Sequence, residues 1–351
     1  MLLRQGPERS IITDVANELV VFGAVHSQEI WRKYVRKSLL LLLAVALASQ
    51  SSATSRTALV TETEVPGATL HITVLHPVDD DKAAEIVEWL RSASTNVSLA
   101  YGRFPNPSAS VIVQPTERRG WGSKSPVPFG RVTRNGRETI ELYVDAKRPI
   151  EDFYGDWTAT HEFSHLMLPY ISPRYKWISE GFASYYQNVL MSRAGHYTAE
   201  EAWRKLTEGM NRGRRSRPEL TLNEAASAGV RAARMKIYWS GAAIALLADV
   251  ELRERSAGEE SLDTALDKLQ RCCLPSGDTW SGPELFTKLD SMVDEPVFMP
   301  LYRRYANRNG FPDFEPALQR LGVDVDDGRT RLHDDAELAA IRNAISSRHG
   351  E

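Results

Sequence analysis

Two histidines four residues apart constrain this chain more than any other feature of its sequence. The segment HEFSH begins at His161, and histidine is scarce, with eight in 351 residues. On an α-helix, residues i and i+4 share one face, so His161 and His165 can bind a single ion. Glu162 lies beside that face and can reach a water molecule on the ion. We therefore expect residues 161–186 to organise the rest of the chain.

This spacing is typical of zinc hydrolases, in which two imidazoles bind the metal and the glutamate between them acts as a general base. The pattern therefore predicts zinc as the cofactor, with His161 and His165 as ligands and Glu162 as a catalytic residue. A tetrahedral zinc that keeps one position open for water needs a third protein ligand. The alternative is an amphipathic helix whose two histidines are polar surface groups.

The third predicted metal ligand is Glu180. Pro169 and Pro173 are expected to end the first helix. Ser179 can then cap a second helix that begins at Glu180. A helix–loop–helix hairpin of this length returns Glu180 to the two histidines. Ser184 lies on the same face as Glu180, and we interpret it as an ordinary helix residue.

HEFSH and the downstream segment WISEGFASYYQNVLMSRAG, which begins at Trp177, together resemble the gluzincin zinc metallopeptidases. The similarity is greatest to the glycyl-aminopeptidase family and more distant to the alanyl and leucyl aminopeptidases. Residues 213–225 resemble the connecting segment of that family. The segment IYWSGAA, beginning at Ile237, resembles its Tyr-x-x-Gly helix. The resemblance covers residues 150–325.

The resemblance implies a zinc peptidase that hydrolyses peptide bonds by Glu162-assisted attack of a zinc-bound water. It also implies that Tyr238 is a second catalytic residue, which stabilises the tetrahedral intermediate. Without the resemblance, Tyr238 is a core aromatic at the start of an apolar helix. A catalytically silent or very narrow-specificity zinc-binding scaffold or assembly protein on a peptidase fold is the alternative function.

The expected fold is α+β. Alternating apolar residues predict strands at 69–75, 110–113 and 139–144, and helical spacing predicts a helix over 79–100. Residues 120–130 are predicted to be a loop. Beyond residue 150 the pattern is almost entirely helical. The resemblance implies a thermolysin-like metallopeptidase, with a small mixed β-sheet lobe, a mostly helical lobe and the zinc site between them.

We divide the chain into an N-terminal extension and secretory signal segment at 1–53, a β-rich upper lobe at 54–150 and a helical lobe at 151–351. In gluzincins the edge strand of the upper lobe holds the substrate backbone. Related aminopeptidases bind the free amine of the substrate through a carboxylate in a G-x-M-E-N motif on that strand. The nearest segments here, 130–133 and 120–122, lack the carboxylate. Aminopeptidase and endopeptidase activity therefore both remain open.

Members of the family often carry a PDZ domain after the catalytic domain. We expect only the catalytic part here, because too few residues follow the family-like segment. Composition fits a globular protein, with 42% hydrophobic and 25% charged residues. A net charge of −3 gives no reason to expect nucleic acid as a partner. The expected partner is a peptide or protein substrate, and the oligomeric state is left open.

Residues 31–53 are typical of a secretory signal. A basic stretch at 31–37 precedes an apolar stretch at 39–48, and small residues suitable for cleavage follow. The apolar stretch is too short to span a bilayer of about 30 Å as a helix, so we expect no transmembrane span in the mature protein. The predicted location is periplasmic or secreted. One hypothesis is that translation begins near Val35 rather than at Met1.

The only two cysteines, Cys272 and Cys273, are adjacent in the sequence. Neighbouring residues of a helix rarely place their sulfurs in position to pair. We therefore expect two thiols in a helical segment. They are poor candidates for the zinc because the histidine and glutamate set already suffices.

Overall fold

A computed structural model of the chain describes residues 57–117, 125–134 and 138–347. The predicted signal segment at 31–53 lies outside these ranges, so export stays a prediction. Within the described ranges, no helix combines the length and the apolar character that a membrane crossing requires.

Five strands form a mixed sheet in the order β1-β2-β3-β5-β4. Their bounds are β1 Thr57–Val65, β2 Ala68–Leu75, β3 Ser108–Pro115, β4 Phe129–Thr133 and β5 Thr139–Val144. β2, β3 and β5 are parallel, and β1 and β4 pair antiparallel with their neighbours. Helix α1 (Asp80–Ser98) contributes Ile86 and Leu90 to the core that the sheet shares. The three predicted strands and this helix are therefore confirmed.

The structure corrects the predicted loop at 120–130 at its C-terminal end. Phe129 and Gly130 belong to β4, which pairs with β5 so that Gly130 lies opposite Leu142 and Arg131 opposite Glu141. β4 is the last strand of the sheet, and no other described strand pairs with its outer edge. Its backbone hydrogen-bonding groups on that side are available to a partner.

From Ile150 onward the described chain is mostly helical, as predicted. The helices are α2 Ile150–Tyr154, α3 Thr158–Ser164, α4 Lys176–Arg193, α5 Ala199–Arg214, α6 Leu222–Ala228, α7 Val230–Arg255, α8 Leu262–Cys273, α9 Gly282–Asp290, α10 Phe298–Tyr305, α11 Glu315–Arg320 and α12 Ala339–Ser346. Short strands β6 Tyr170–Ile171 and β7 Thr279–Trp280 pair with each other, as do β8 Val323–Asp326 and β9 Arg329–Leu332. The fold is therefore α+β, with a sheet lobe and a helical lobe.

Helix α4 begins four residues earlier than predicted. It starts at Lys176, directly after a 3-10 turn over Pro173–Tyr175. Ser179 is therefore inside the helix, and its hydroxyl donates to the carbonyl of Lys176 at 3.2 Å instead of capping Glu180. Proline fixes a helix-compatible φ angle, so Pro173 starts the helical turn that the serine had been expected to start.

The two central helices, α4 and α7, approach each other at a pair of glycines. A methyl group on Gly181 would collide with the backbone of Gly241, and one on Gly241 would collide with the carbonyl oxygen of Trp177. Only glycine permits this separation of the two backbones. Gly181 directly follows Glu180, and Gly241 lies three residues after Tyr238. The contact therefore also sets the distance between the side chains of Glu180 and Tyr238.

The expectation of two free thiols is wrong, because Cys272 and Cys273 are joined by a disulfide. Their Cα atoms are 3.7 Å apart. The expectation assumed that both cysteines lie within a continuing helix. Helix α8 instead ends at Cys273, and Leu274 adopts an extended conformation. The two cysteines therefore lie at the C-terminal end of α8, where the chain leaves the helical conformation.

Candidate metal centre

The structure brings together the three side chains that the sequence predicts as metal ligands. His161 lies in α3, His165 begins the 3-10 turn that continues that helix, and Glu180 lies in the first turns of α4. Their donor atoms all lie within 4.8 Å of one another. Oε2 of Glu180 is 3.4 Å from Nε2 of His161 and 3.7 Å from Nε2 of His165.

Side chains from distant parts of the chain hold the turn that carries His165. The guanidinium of Arg134 donates to the carbonyl oxygens of His165 at 2.8 Å and Leu168 at 3.0 Å. The amide of Gln270 donates to the carbonyl of Leu166 at 2.7 Å. Carbonyls at the end of a helix lack the full set of intrahelical partners, so the two side chains supply hydrogen bonds that fix the turn.

Gln187 orients His161, although it was not predicted from the sequence. Its Oε1 lies 2.7 Å from Nδ1 of His161, and an amide oxygen can only accept, so Nδ1 carries the proton. The lone pair of Nε2 is then directed toward Glu180. Gln187 follows Glu180 by seven residues, two turns along the same face of α4, and this spacing was the signal available in the sequence.

Glu162 lies beneath the edge strand. A methyl group on Gly130 would lie 2.5 Å from Cγ of Glu162, so this position of β4 admits only glycine. Oε2 of Glu162 is 4.0 Å from Nε2 of His165. Burial raises the pKa of Glu162 to about 7. A carboxyl group in this range can both accept and release a proton near neutral pH.

Glu180 uses its two carboxylate oxygens differently. Oε2 faces the imidazoles, whereas Oε1 lies 3.0 Å from Nζ of Lys176, one helical turn earlier. Burial alone would raise the pKa of Glu180, but His165, His161 and Lys176 outweigh it and hold that pKa well below its usual range. Burial lowers the pKa of His165 to about 3, so its ring is neutral. An ionised carboxylate thus faces a neutral imidazole.

Tyr238 reaches the centre from α7. Its ring stacks on that of His161, with centroids 5.8 Å apart and planes within 6° of parallel. Burial and the neighbouring Glu180 carboxylate raise the pKa of Tyr238 well above its ordinary value. The hydroxyl therefore stays protonated and can donate a hydrogen bond.

A cleft of about 240 Å³ opens beside these residues. Phe129 to Val132 of β4 line it together with Glu162, His165 and Glu180. Phe129 and Tyr170 also line the cleft, and they are 44% and 45% exposed. Apolar surface beside a few converging polar groups in a cleft has the character of a binding site.

The donor set fits zinc better than a hard cation. Zinc takes imidazole nitrogen and carboxylate oxygen at about 2.0–2.2 Å in a tetrahedron, which places neighbouring donors about 3.4 Å apart. The separations of 3.4 and 3.7 Å are close to that value. Calcium and magnesium are bound mainly by oxygen. Three protein donors would leave one position of the tetrahedron open.

Residues 170–244 match the M61 glycyl aminopeptidase family. Over these residues the chain is similar to that gluzincin family. The resemblance read from the sequence is thus confirmed, and the matched segment contains both Glu180 and Tyr238. The zinc expected from the sequence is supported by this match and by the donor set. Among curated proteins, no match is found.

Two solved structures are similar to this chain. An aminopeptidase N family protein from Idiomarina loihiensis is 15% identical, with a TM-score of 0.56, over 79% of this chain and 53% of that one. An M1 zinc metallopeptidase from Deinococcus radiodurans is 15% identical, with a TM-score of 0.48, over 74% of this chain and 52% of its own. The chain spans about half the length of these structures. The first likeness shows that the α+β fold is shared.

Proposed function

We propose that the chain is a zinc-dependent peptidase that hydrolyses peptide bonds, with a thermolysin-like arrangement in which zinc lies between the sheet lobe and the helical lobe. His161, His165 and Glu180 would hold the metal. One observation carries the proposal. Three donors converge within 4.8 Å, and a buried carboxylate, Glu162, lies beside them under the edge strand.

Each polar residue around the metal position has a chemical part in this proposal. When bound, zinc activates a water and polarises the substrate carbonyl. Glu162 takes the proton of the attacking water and passes it to the leaving amine. Tyr238 donates a hydrogen bond to the oxygen that gains negative charge. Gln187 keeps His161 in the tautomer that presents Nε2.

The walls of the cleft favour an extended polypeptide as substrate. The outer edge of β4 offers backbone donors and acceptors, so a peptide can pair with it as an added strand. Phe129 and Tyr170 offer apolar surface to the side chains of such a peptide. The combination of a strand edge and aromatic surface beside a metal centre supports peptide-bond hydrolysis over other hydrolytic chemistry.

The test is turnover of a mixed peptide library by the purified full chain, before and after a chelator and after zinc is added back. We expect cleavage that the chelator abolishes and zinc restores. One bound zinc without cleavage of any peptide would contradict the peptidase proposal and favour the zinc-binding scaffold. Cleavage unaffected by the chelator would contradict the metal assignment.

A further inference from the structure

The charged groups that line the cleft are mostly cationic. Arg131, Arg134 and Lys176 line it together with two carboxylates, Glu162 and Glu180. These two are the only acidic side chains of the described residues that line this cleft. An ion pair with a positively charged substrate group next to the metal centre would therefore have to use one of them.

Both carboxylates already have a function in the centre. Oε2 of Glu180 faces the imidazoles and Oε1 pairs with Lys176 at 3.0 Å. Glu162 is packed beneath Gly130 and is the proposed base. Neither is free to hold an ammonium group of a substrate.

Carboxylates elsewhere in the sheet do not fill this gap. Arg131 pairs with Glu141 at 2.7 Å, and Arg134 pairs with Glu138 at 3.2 Å. Neither glutamate lines the cleft. The two inner segments outside the described ranges read RRGWGSK at 118–124 and NGR at 135–137, and they contain no aspartate or glutamate.

Lys176 adds a positive charge at the metal centre itself. Its side chain is 42% exposed, and its ammonium lies on the cleft wall, one helical turn from the ligand Glu180. A substrate with a free α-amine next to the scissile bond would bring a second ammonium to this wall without an anion to accept it. Like charges at short range are unfavourable, and an unpaired charge loses hydration on binding.

We propose that the cleft selects peptide bonds that are not adjacent to a free α-amine, and that Lys176 is the residue that determines this specificity. The substrates are then internal segments of polypeptides or peptides with a blocked N-terminus. The proposal rests on the proposed peptidase function and narrows it to endopeptidase-type cleavage.

The experiment compares pairs of peptides that differ only in N-terminal acetylation, with cleavage sites mapped by mass spectrometry on the zinc-loaded full chain. At the bond nearest the N-terminus, we expect kcat/KM for the acetylated peptide to exceed that for the free peptide at least tenfold. Faster cleavage of the free peptides, one residue at a time, would overturn this inference and leave the peptidase function intact. Cleavage of neither peptide would overturn the peptidase function, and this inference with it.

Variants then test the part played by Lys176. Lys176→Met should bring the ratio of the two kcat/KM values close to one, measured on zinc-loaded protein because Lys176 also contacts the proposed ligand Glu180 at 3.0 Å. Lys176→Arg, which keeps the charge, should keep the discrimination. Lys205→Met is the matched control, because Lys205 forms another i,i+4 pair, with Glu201, on α5 and does not line the cleft. An unchanged ratio in Lys176→Met would show that Lys176 is not the determinant.

Discussion

Helix α4 carries two buried polar clusters, and they differ in how their charges are satisfied. Near its end, Arg193 pairs with Asp263 at 2.9 Å, and Arg253 lies 3.0 Å from Asp249 and 3.4 Å from Asp263. Hydroxyl groups of two tyrosines of α4, Tyr185 and Tyr186, donate to the same aspartates. Two positive and two negative side chains thus balance each other in the core.

In the candidate metal centre near the start of α4, one oxygen of Glu180 also has an ion-pair partner, Lys176 at 3.0 Å, but its second oxygen faces two imidazoles. Oε2 of Glu180 faces Nε2 of His161 and of neutral His165, so donor atoms of three side chains lie within 4.8 Å of one another. The comparison shows how a structural cluster differs from a ligand site. In the first cluster the protein groups satisfy one another, whereas the converging donors of the candidate centre are arranged to bind an ion.

The largest expected effect is the loss of activity in Glu162→Gln. Removing the general base should lower kcat by about 10²–10⁴-fold. The ligands are untouched, so zinc content should equal that of the parent protein. Steady-state kinetics and elemental analysis on one preparation check both statements, and a parent-like kcat would show that Glu162 is not the base.

We call the paired charges near the end of α4 the ionic cluster, and the corresponding change there is Asp263→Ala. It removes the carboxylate partner of buried Arg193 and one of the two carboxylates that Arg253 contacts. It should cost about 3–5 kcal/mol in the free energy of unfolding. Denaturant unfolding measures this loss. Zinc affinity of the folded fraction should stay at the parent value, and a selective loss of zinc would show that the two clusters are one unit.

Gly241→Ala tests whether the close packing of α7 against α4 positions Tyr238 in the site. The added methyl group pushes α7 from α4, at a cost of about 1–3 kcal/mol in stability, and moves Tyr238 away from His161. We expect a lower kcat with zinc retained. Gly277→Ala is the control, because nothing lies within 4 Å of its added carbon and φ there is not positive. Equal effects of the two substitutions would contradict the close-packing argument.

Gln187→Leu should have an effect no larger than that of Gly241→Ala. Loss of the acceptor for Nδ1 of His161 should weaken zinc binding by about 10–100-fold, measured by competition with a chromophoric chelator. Gln187→Glu supplies an acceptor of similar size and should restore the affinity. Parent-like affinity in Gln187→Leu would mean that other contacts alone orient the imidazole.

Local patterns in the sequence predicted much of the molecule. The strands at 69–75 and 139–144 follow from alternating apolar residues, and the convergence of His161, His165 and Glu180 follows from helical spacing and two prolines. These features depend on residues close together in the chain.

Other features depend on residues brought together by the fold. β4 was missed because its five residues include a glycine, which is rare in strands, and the reason for that glycine is the Glu162 side chain beneath it. The acceptor role of Gln187 requires a partner 26 residues away. The cysteine pair depends on where α8 ends, and helix boundaries are set by contacts that the local sequence does not contain.

Zinc stoichiometry of the purified full chain tests the central claim most directly, with His165→Ala and the ionic-cluster variant Asp263→Ala measured alongside. We predict one zinc per chain in the parent and in folded Asp263→Ala, and none in His165→Ala. A parent protein without zinc, or a His165→Ala variant that keeps it, would contradict the assignment of the metal centre.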